Sequence, residues 1–190
     1  LAEEERRVGA HRELHTGDAL GAEPRPGYLL EVARRAALGR DYADANAKLD
    51  DAAAAASTAH SGTLGVAIDL ERTHLALAEG NVAAAKKQLT LLSKQTTQLG
   101  EVPLRLGWLE LEISLALRED NAAQASARYR EAVALLKSSG SYRDDVLIHE
   151  LGERATKANA TEASAAHAAA AAAHDRLLAP TAAAAPAAPA

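Results

Sequence analysis

The sequence predicts an all-α protein in which helices pair into antiparallel hairpins and the hairpins stack one on the next. Three observations carry this expectation. First, a short pattern recurs at a constant spacing, opening at positions 41, 81 and 121: Asp41-Tyr42-x-x-Ala45-x-x-x-Leu49-x-x-Ala52, then Asn81-Val82-x-x-Ala85-x-x-x-Leu89-x-x-Leu92, then Asn121-Ala122-x-x-Ala125-x-x-x-Tyr129-x-x-Ala132. A fixed period of this length is the mark of stacked helical hairpins. Second, each copy opens on Asp or Asn, whose side chain can accept a hydrogen bond from an otherwise unpaired amide of a first helical turn. Third, the links Leu38-Gly39-Arg40, Ala78-Glu79-Gly80 and Arg118-Glu119-Asp120 are short, and short links join antiparallel neighbours.

Residues 1–25 read as a polar N-terminal helix followed by a linker, because Thr16–Gly27 holds three Gly and two Pro and has little periodicity. The first hairpin, 26–62, has helices at 27–38 and 42–59. The second, 63–102, has helices at 64–79 and 82–98. Gly100 and Pro103 are expected to break the chain before the third, 103–142, with helices at 104–118 and 121–138. Gly39 and Gly80 suit left-handed helix ends. Gln124, three residues after Asn121, fits a capping box; Asp44 is a weaker version after Asp41, and Ala84 after Asn81 is none. Behind each cap, positions +4, +8 and +11 are small or apolar and share one face. The +4 residue is always Ala, which implies a close helix crossing. In the first helices, Leu104, Trp108, Leu111 and Leu115 form an apolar stripe. Leu64, Ile68 and Leu75 are its counterparts one repeat earlier, with Glu71 at the position of Leu111. Residues 143–158 are expected to cap the stack, with Val146, Leu147 and Leu151 covering the third hairpin. The Ala-rich stretch 159–179 reads either as a last helix packed through Leu177 and Leu178 or as a partly frayed segment. The Pro/Ala stretch 180–190 reads as a disordered tail.

At these residues the chain resembles the tetratricopeptide repeat family. Gly80-Asn81-Val82, Ala85 and Leu89 match that family's turn and second helix. Asp41-Tyr42, Ala45, Leu49 and Ala52 match except for the turn Gly, and so do Asn121-Ala122, Ala125, Tyr129 and Ala132. The resemblance covers residues 26–158. The family's usual repeat is about 34 residues, shorter than the period here, so this chain looks like the longer variants of bacterial regulatory and signalling proteins. The early part of each first helix departs from the motif, and the closing Pro is missing. The resemblance implies a right-handed superhelical stack, an α-solenoid, whose concave groove holds an extended peptide or a partner helix.

Composition narrows the function classes. With 190 residues and no Cys, Phe or Met, the chain has length for one core built from Leu, Ile, Val and Ala, with Trp108 and Tyr129 as its bulkiest members. It can form neither disulfide nor thiolate metal site. The net charge of −5 and the mixed signs along the chain argue against nucleic acid, which calls for clustered Lys and Arg. No run of about 18 apolar residues favours membrane insertion. The first residue is Leu, which reads as a start inside a longer protein or after processing, and a cytoplasmic location is the expectation.

No catalytic motif appears: no Gly-x-Ser-x-Gly, no phosphate loop, no His-Glu-x-x-His. The chain is therefore expected not to be an enzyme and to need no cofactor or metal. His11 with His15, and His167 with His174, have spacings that a metal could use, but each pair lacks a third ligand and reads as solvated histidine. The candidate binding site is the first-helix face. The register of the repeat places Arg34, His74 and Ser114 at equivalent points, with Glu110 and Arg118 one turn either side of Ser114. The expected role is a non-catalytic protein-interaction scaffold with a protein or peptide partner in the groove. The alternative is a self-associating segment that stacks on another copy or on the rest of its own chain; a third, less favoured reading is a His-dependent metal-binding protein that uses the His pairs.

Overall fold

The structure, a computed structural model, describes residues 25–139, 142–157 and 159–178. The polar segment 1–24, with His11 and His15, and the Pro/Ala tail lie outside the described residues. Eight helices fill the described chain: α1 Pro26–Leu38, α2 Tyr42–Thr58, α3 Gly62–Ala78, α4 Val82–Leu99, α5 Val102–Arg118, α6 Ala122–Ser139, α7 Tyr142–Ala155 and α8 Ala160–Leu178. No strand occurs among the described residues. Each helix packs on the next. In addition α1 touches α3, α3 touches α5, and α5 touches α7, whereas the second helices α2, α4, α6 and α8 do not approach one another by backbone.

The turns explain the regularity. Asp41, Asn81 and Asn121 cap α2, α4 and α6 by accepting from the amides of Asp44, Ala84 and Gln124 at 3.1, 3.3 and 3.1 Å. Ser61 caps α3 in the same way, through Leu64 N–H at 3.3 Å. The same four residues also close the helix behind them. The N–H groups of Asp41, Ser61, Asn81 and Asn121 donate to the carbonyls of Ala36, Ala56, Ala76 and Ala116, the long bond of a Schellman ending. One residue thus ends one helix with its backbone and starts the next with its side chain. Gln124 departs from the capping-box expectation: its Oε1 accepts from Asn121 Nδ2 at 3.1 Å rather than from the backbone.

Such an ending needs one left-handed residue, and here the structure corrects the sequence reading. Gly39 is right-handed, at φ −74°. The left-handed residues are Arg40 (φ 61°), His60 (53°), Gly80 (81°), Gly100 (69°) and Asp120 (53°). They fall at even intervals, one after each of the first five helices, so the elementary unit is one helix plus its turn, and each hairpin is two units. Asp and His tolerate this conformation better than most residues; Arg40 has no such advantage and is held there by the flanking hydrogen bonds. Pro103 also differs from expectation. It does not break the chain but sits in the first turn of α5, where its missing N–H would have had no helical partner.

The core follows the second-helix pattern closely. Ala45, Ala85 and Ala125 are fully buried, as are Leu49 and Leu89 behind them and Ala52, Leu92 and Ala132 behind those; Tyr129, in the place of Leu49 and Leu89, is buried to 9 % exposure. The first helices bury more than one stripe. In α5, Leu106, Leu109, Ile113 and Ala116 are buried along with Leu104, Trp108, Leu111 and Leu115, because α5 has α3, α4, α6 and α7 around it. The C-terminal end differs most from expectation. α7 is not a terminal cap but is covered by α8. Val146 and Leu151 are buried as expected and Leu147 is half-buried, while Ile148 and His149 are buried as well. α8 packs through Ala166, Ala170 and Ala173, not through Leu178, which is 78 % exposed. The side chain of Leu177 lies outside the described residues.

Candidate functional site: a polar face along the first helices

The first helices α1, α3, α5 and α7 form a continuous series of contacts, and that packing takes up most of their apolar residues, Tyr28 and Leu38 of α1 being exposed. A narrow polar strip remains. Arg34 of α1 is half-buried and fully engaged: its guanidinium reaches Glu31 and Glu71 at 2.5 Å each. The pair with Glu71 joins α1 to α3 and explains the polar residue at that position of the stripe. Arg34 is therefore a structural cation rather than a free contact. His74 on α3 and Arg118 on α5 are exposed; Ser114 and Glu110 are half-buried. Glu110 has a partner, whereas His74, Ser114 and Arg118 make no side-chain bond among the described residues.

The register continues one step further than the three-copy pattern extends. Arg154 on α7 stands one full period after Ser114, so Arg34, His74, Ser114 and Arg154 form one series. Arg154 is exposed, as is Lys157. Together with Leu117, Asp120, Ala122 and Ala155 they line an open hollow of about 390 Å³ between the α5–α6 turn and the end of α7. Arg154 and Lys157 make no ion pair among the described residues. The α5–α7 end of the strip carries Arg118, Arg154 and Lys157 against Glu110 and Asp120, a net positive group, and at the α1–α3 end one guanidinium, Arg34, is shared by two carboxylates, Glu31 and Glu71, which leaves that group net negative. Applying the same period to α7 would have revealed Arg154 from sequence.

Other charged clusters are structural. Trp108 donates its Nε1–H to the Leu89 carbonyl at 2.9 Å. The guanidinium groups of Arg105 and Arg128 lie 4.1 and 5.1 Å from its ring centroid, a cation–π arrangement. Both reach Glu131, at 2.5 and 3.0 Å. Burial alone would raise the Glu131 carboxyl; hydrogen bonds and charge from Arg105, then Arg128, more than reverse this and hold it below the usual carboxylate range.

At the other end, Tyr129 Oη lies 2.9 Å from Nδ1 of the buried His149. His149 Nε2 is 3.3 Å from Asp145, which also pairs with Arg176 of α8. Desolvation lowers the His149 pKa, and Arg176 adds to this; Asp145 opposes it without cancelling it. The Tyr129 ring lies directly over Gly152, where any Cβ would fall well inside van der Waals contact. His167 and His174 do not meet each other over a metal position. Each faces a carboxylate of α7, Glu153 at 3.0 Å and Glu150 at 2.8 Å. No group of three metal-ligating side chains occurs among the described residues, and none of their helices is long and apolar enough to cross a membrane.

No family profile, curated protein or solved structure matches the chain.

Proposed function

We propose that the chain is a non-catalytic helical scaffold of tetratricopeptide type, an α-solenoid that receives a protein segment along its first-helix face. One observation carries this reading: His74, Arg154 and Arg118 are exposed and Ser114 half-buried, and none of the four has a side-chain partner among the described residues, while most apolar residues of the first helices are taken up by packing. A strip of this kind offers hydrogen bonds and charge rather than apolar area. Its natural occupant is an extended peptide or a polar helix, with acidic residues over the Arg118–Arg154–Lys157 end. The regulatory role of such a scaffold rests on the family resemblance alone.

The test is affinity capture followed by mass spectrometry. A variant carrying His74→Ala, Arg118→Ala and Arg154→Ala should lose its partner by tenfold or more. A control on the second-helix side, Lys87→Ala with Lys94→Ala, should keep it; these two lysines make no ion pair among the described residues, whereas Lys86 and Arg130 hold Glu119 and Glu162 and would disturb packing. Loss in the control with retention in the first variant would place binding on the opposite side of the molecule.

A further inference from the structure

Positions 28, 68, 108 and 148 are equivalent in the repeat, one in each first helix, and hold Tyr28, Ile68, Trp108 and Ile148. All four are large and apolar. Ile68 is 0 % exposed, Trp108 3 % and Ile148 1 %, but Tyr28 is 58 % exposed. The preceding hairpin accounts for the difference. Ile68 lies in the cluster built by α1 and α2. Trp108 is bonded to the Leu89 carbonyl of α4. Ile148 shares a cluster with residues of α5 and α6. Nothing precedes α1 among the described residues, so the residue built for hairpin-on-hairpin packing is left at the surface. Arg35, two turns on along the same side, and Arg25, at the N-cap, are exposed and make no ion pair among the described residues.

The far end is the complement. α8 packs on α7 through Ala166, Ala170 and Ala173, with the four-then-three spacing that Ala45, Leu49 and Ala52 use in α2. α2, α4 and α6 each carry the next first helix; α8 carries none among the described residues. Leu178 is exposed at its tip. The carboxylates here are Glu150 and Glu153 of α7, partly exposed and met by His174 and His167, with Asp175 exposed on α8 and Glu162 of α8 held by Arg130.

We propose that these ends bind each other between copies. The Tyr28 side of α1 in one molecule covers the α8 end of a second copy and continues the stack head to tail, with Arg25 and Arg35 toward Glu150 and Glu153. The arrangement repeats inside-the-chain packing between chains. Such a contact is heterologous, joining two different surfaces, so it does not close on a dimer.

Sedimentation velocity of the full chain over a range of concentrations tests it. The wild type should show a weight-average mass that rises with concentration past that of a dimer. Tyr28→Glu blocks one end and Leu178→Glu the other; each alone should stay monomeric. Their equimolar mixture should form a dimer and stop there, because each keeps the end the other lacks. Circular dichroism checks that both variants keep their helices, and Tyr28→Ser replaces Tyr28→Glu if the charge unfolds α1. A wild type that remains monomeric throughout overturns the proposal, including the case in which Tyr28→Glu lowers its melting temperature and so assigns Tyr28 to residues 1–24 of the same chain. A Leu178→Glu variant that dimerises by itself also overturns it, since the α1 ends would then be meeting face to face.

Discussion

Tyr129, His149 and Gly152 form one contact set in which each residue fixes the others. Gly152 sits in the last turn of α7, and within a helix Ala is ordinarily favoured over Gly by up to about 1 kcal/mol. Here the opposite outcome is expected for Gly152→Ala. The new methyl group would meet the Tyr129 ring, and the ring is pinned by its hydrogen bond to His149. Overpacking of this kind costs roughly 1–3 kcal/mol, so the variant should melt at a lower temperature than the wild type. His149 gives the set a pH dependence. Its folded-state pKa lies below its ordinary value of 6.5, so the unfolded chain takes up the proton first as pH falls. The stability associated with neutral His149 is present above about 6.5 and is lost as pH falls through the lowered folded value. Melting temperatures at pH 7.5 and 5.5 should therefore differ more for the wild type than for His149→Gln. An equal acid response in the two proteins would remove His149 as the cause. None of this was legible in the sequence. Tyr129 announces itself as a core residue by its place in the repeat, but the pairing of Asp145 with both His149 and Arg176 depends on where α8 docks, and an Ala-rich stretch gives no sign of that.

At the scale of the helix, the second-helix pattern was legible because it is a packing rule repeated three times. Ala85 and Ala125 are fully buried at crossings, whereas Ala84 and Ala123 face solvent. Ala85→Leu should cost roughly 1–3 kcal/mol by overpacking, and Ala84→Leu should leave the thermal midpoint nearly unchanged. Equal shifts for both would show that the fully buried position has room to spare. The caps Asp41, Asn81 and Asn121 were also plain, since few residues serve that role. The left-handed turn residue was not. Glycine is the usual signal for it, and Gly39 stands one position too early; the hydrogen bonds of Asp41 to both flanking helices place the strained conformation on Arg40 instead. The extent of burial in α5 was hidden for another reason. A stripe shows which side meets one neighbour, and α5 has four.

Across the whole molecule, the three hairpins and their order follow from the period, while the polar strip was only partly legible. His74 and Arg118 are exposed and Ser114 is half-buried, but Arg34 is tied to Glu71 on the adjacent helix, a contact that no spacing within one helix reveals. The turns, evenly spaced at one per helix, carry a further consequence for how chains of this design can change in length. Removing residues 62–101 would join Ser61 directly to Val102, a helix cap to a helix start, and would set Trp108 against α2 where Leu49 offers the carbonyl that Leu89 offers now. Removing only one helix with its turn would make an equally good junction but would place a second helix, with its single apolar stripe and lysine-bearing outer surface, where a first helix must be buried against several neighbours. Length in this protein is quantised in steps of two helices, and indels of one helix are forbidden by parity rather than by the local chemistry of the turn.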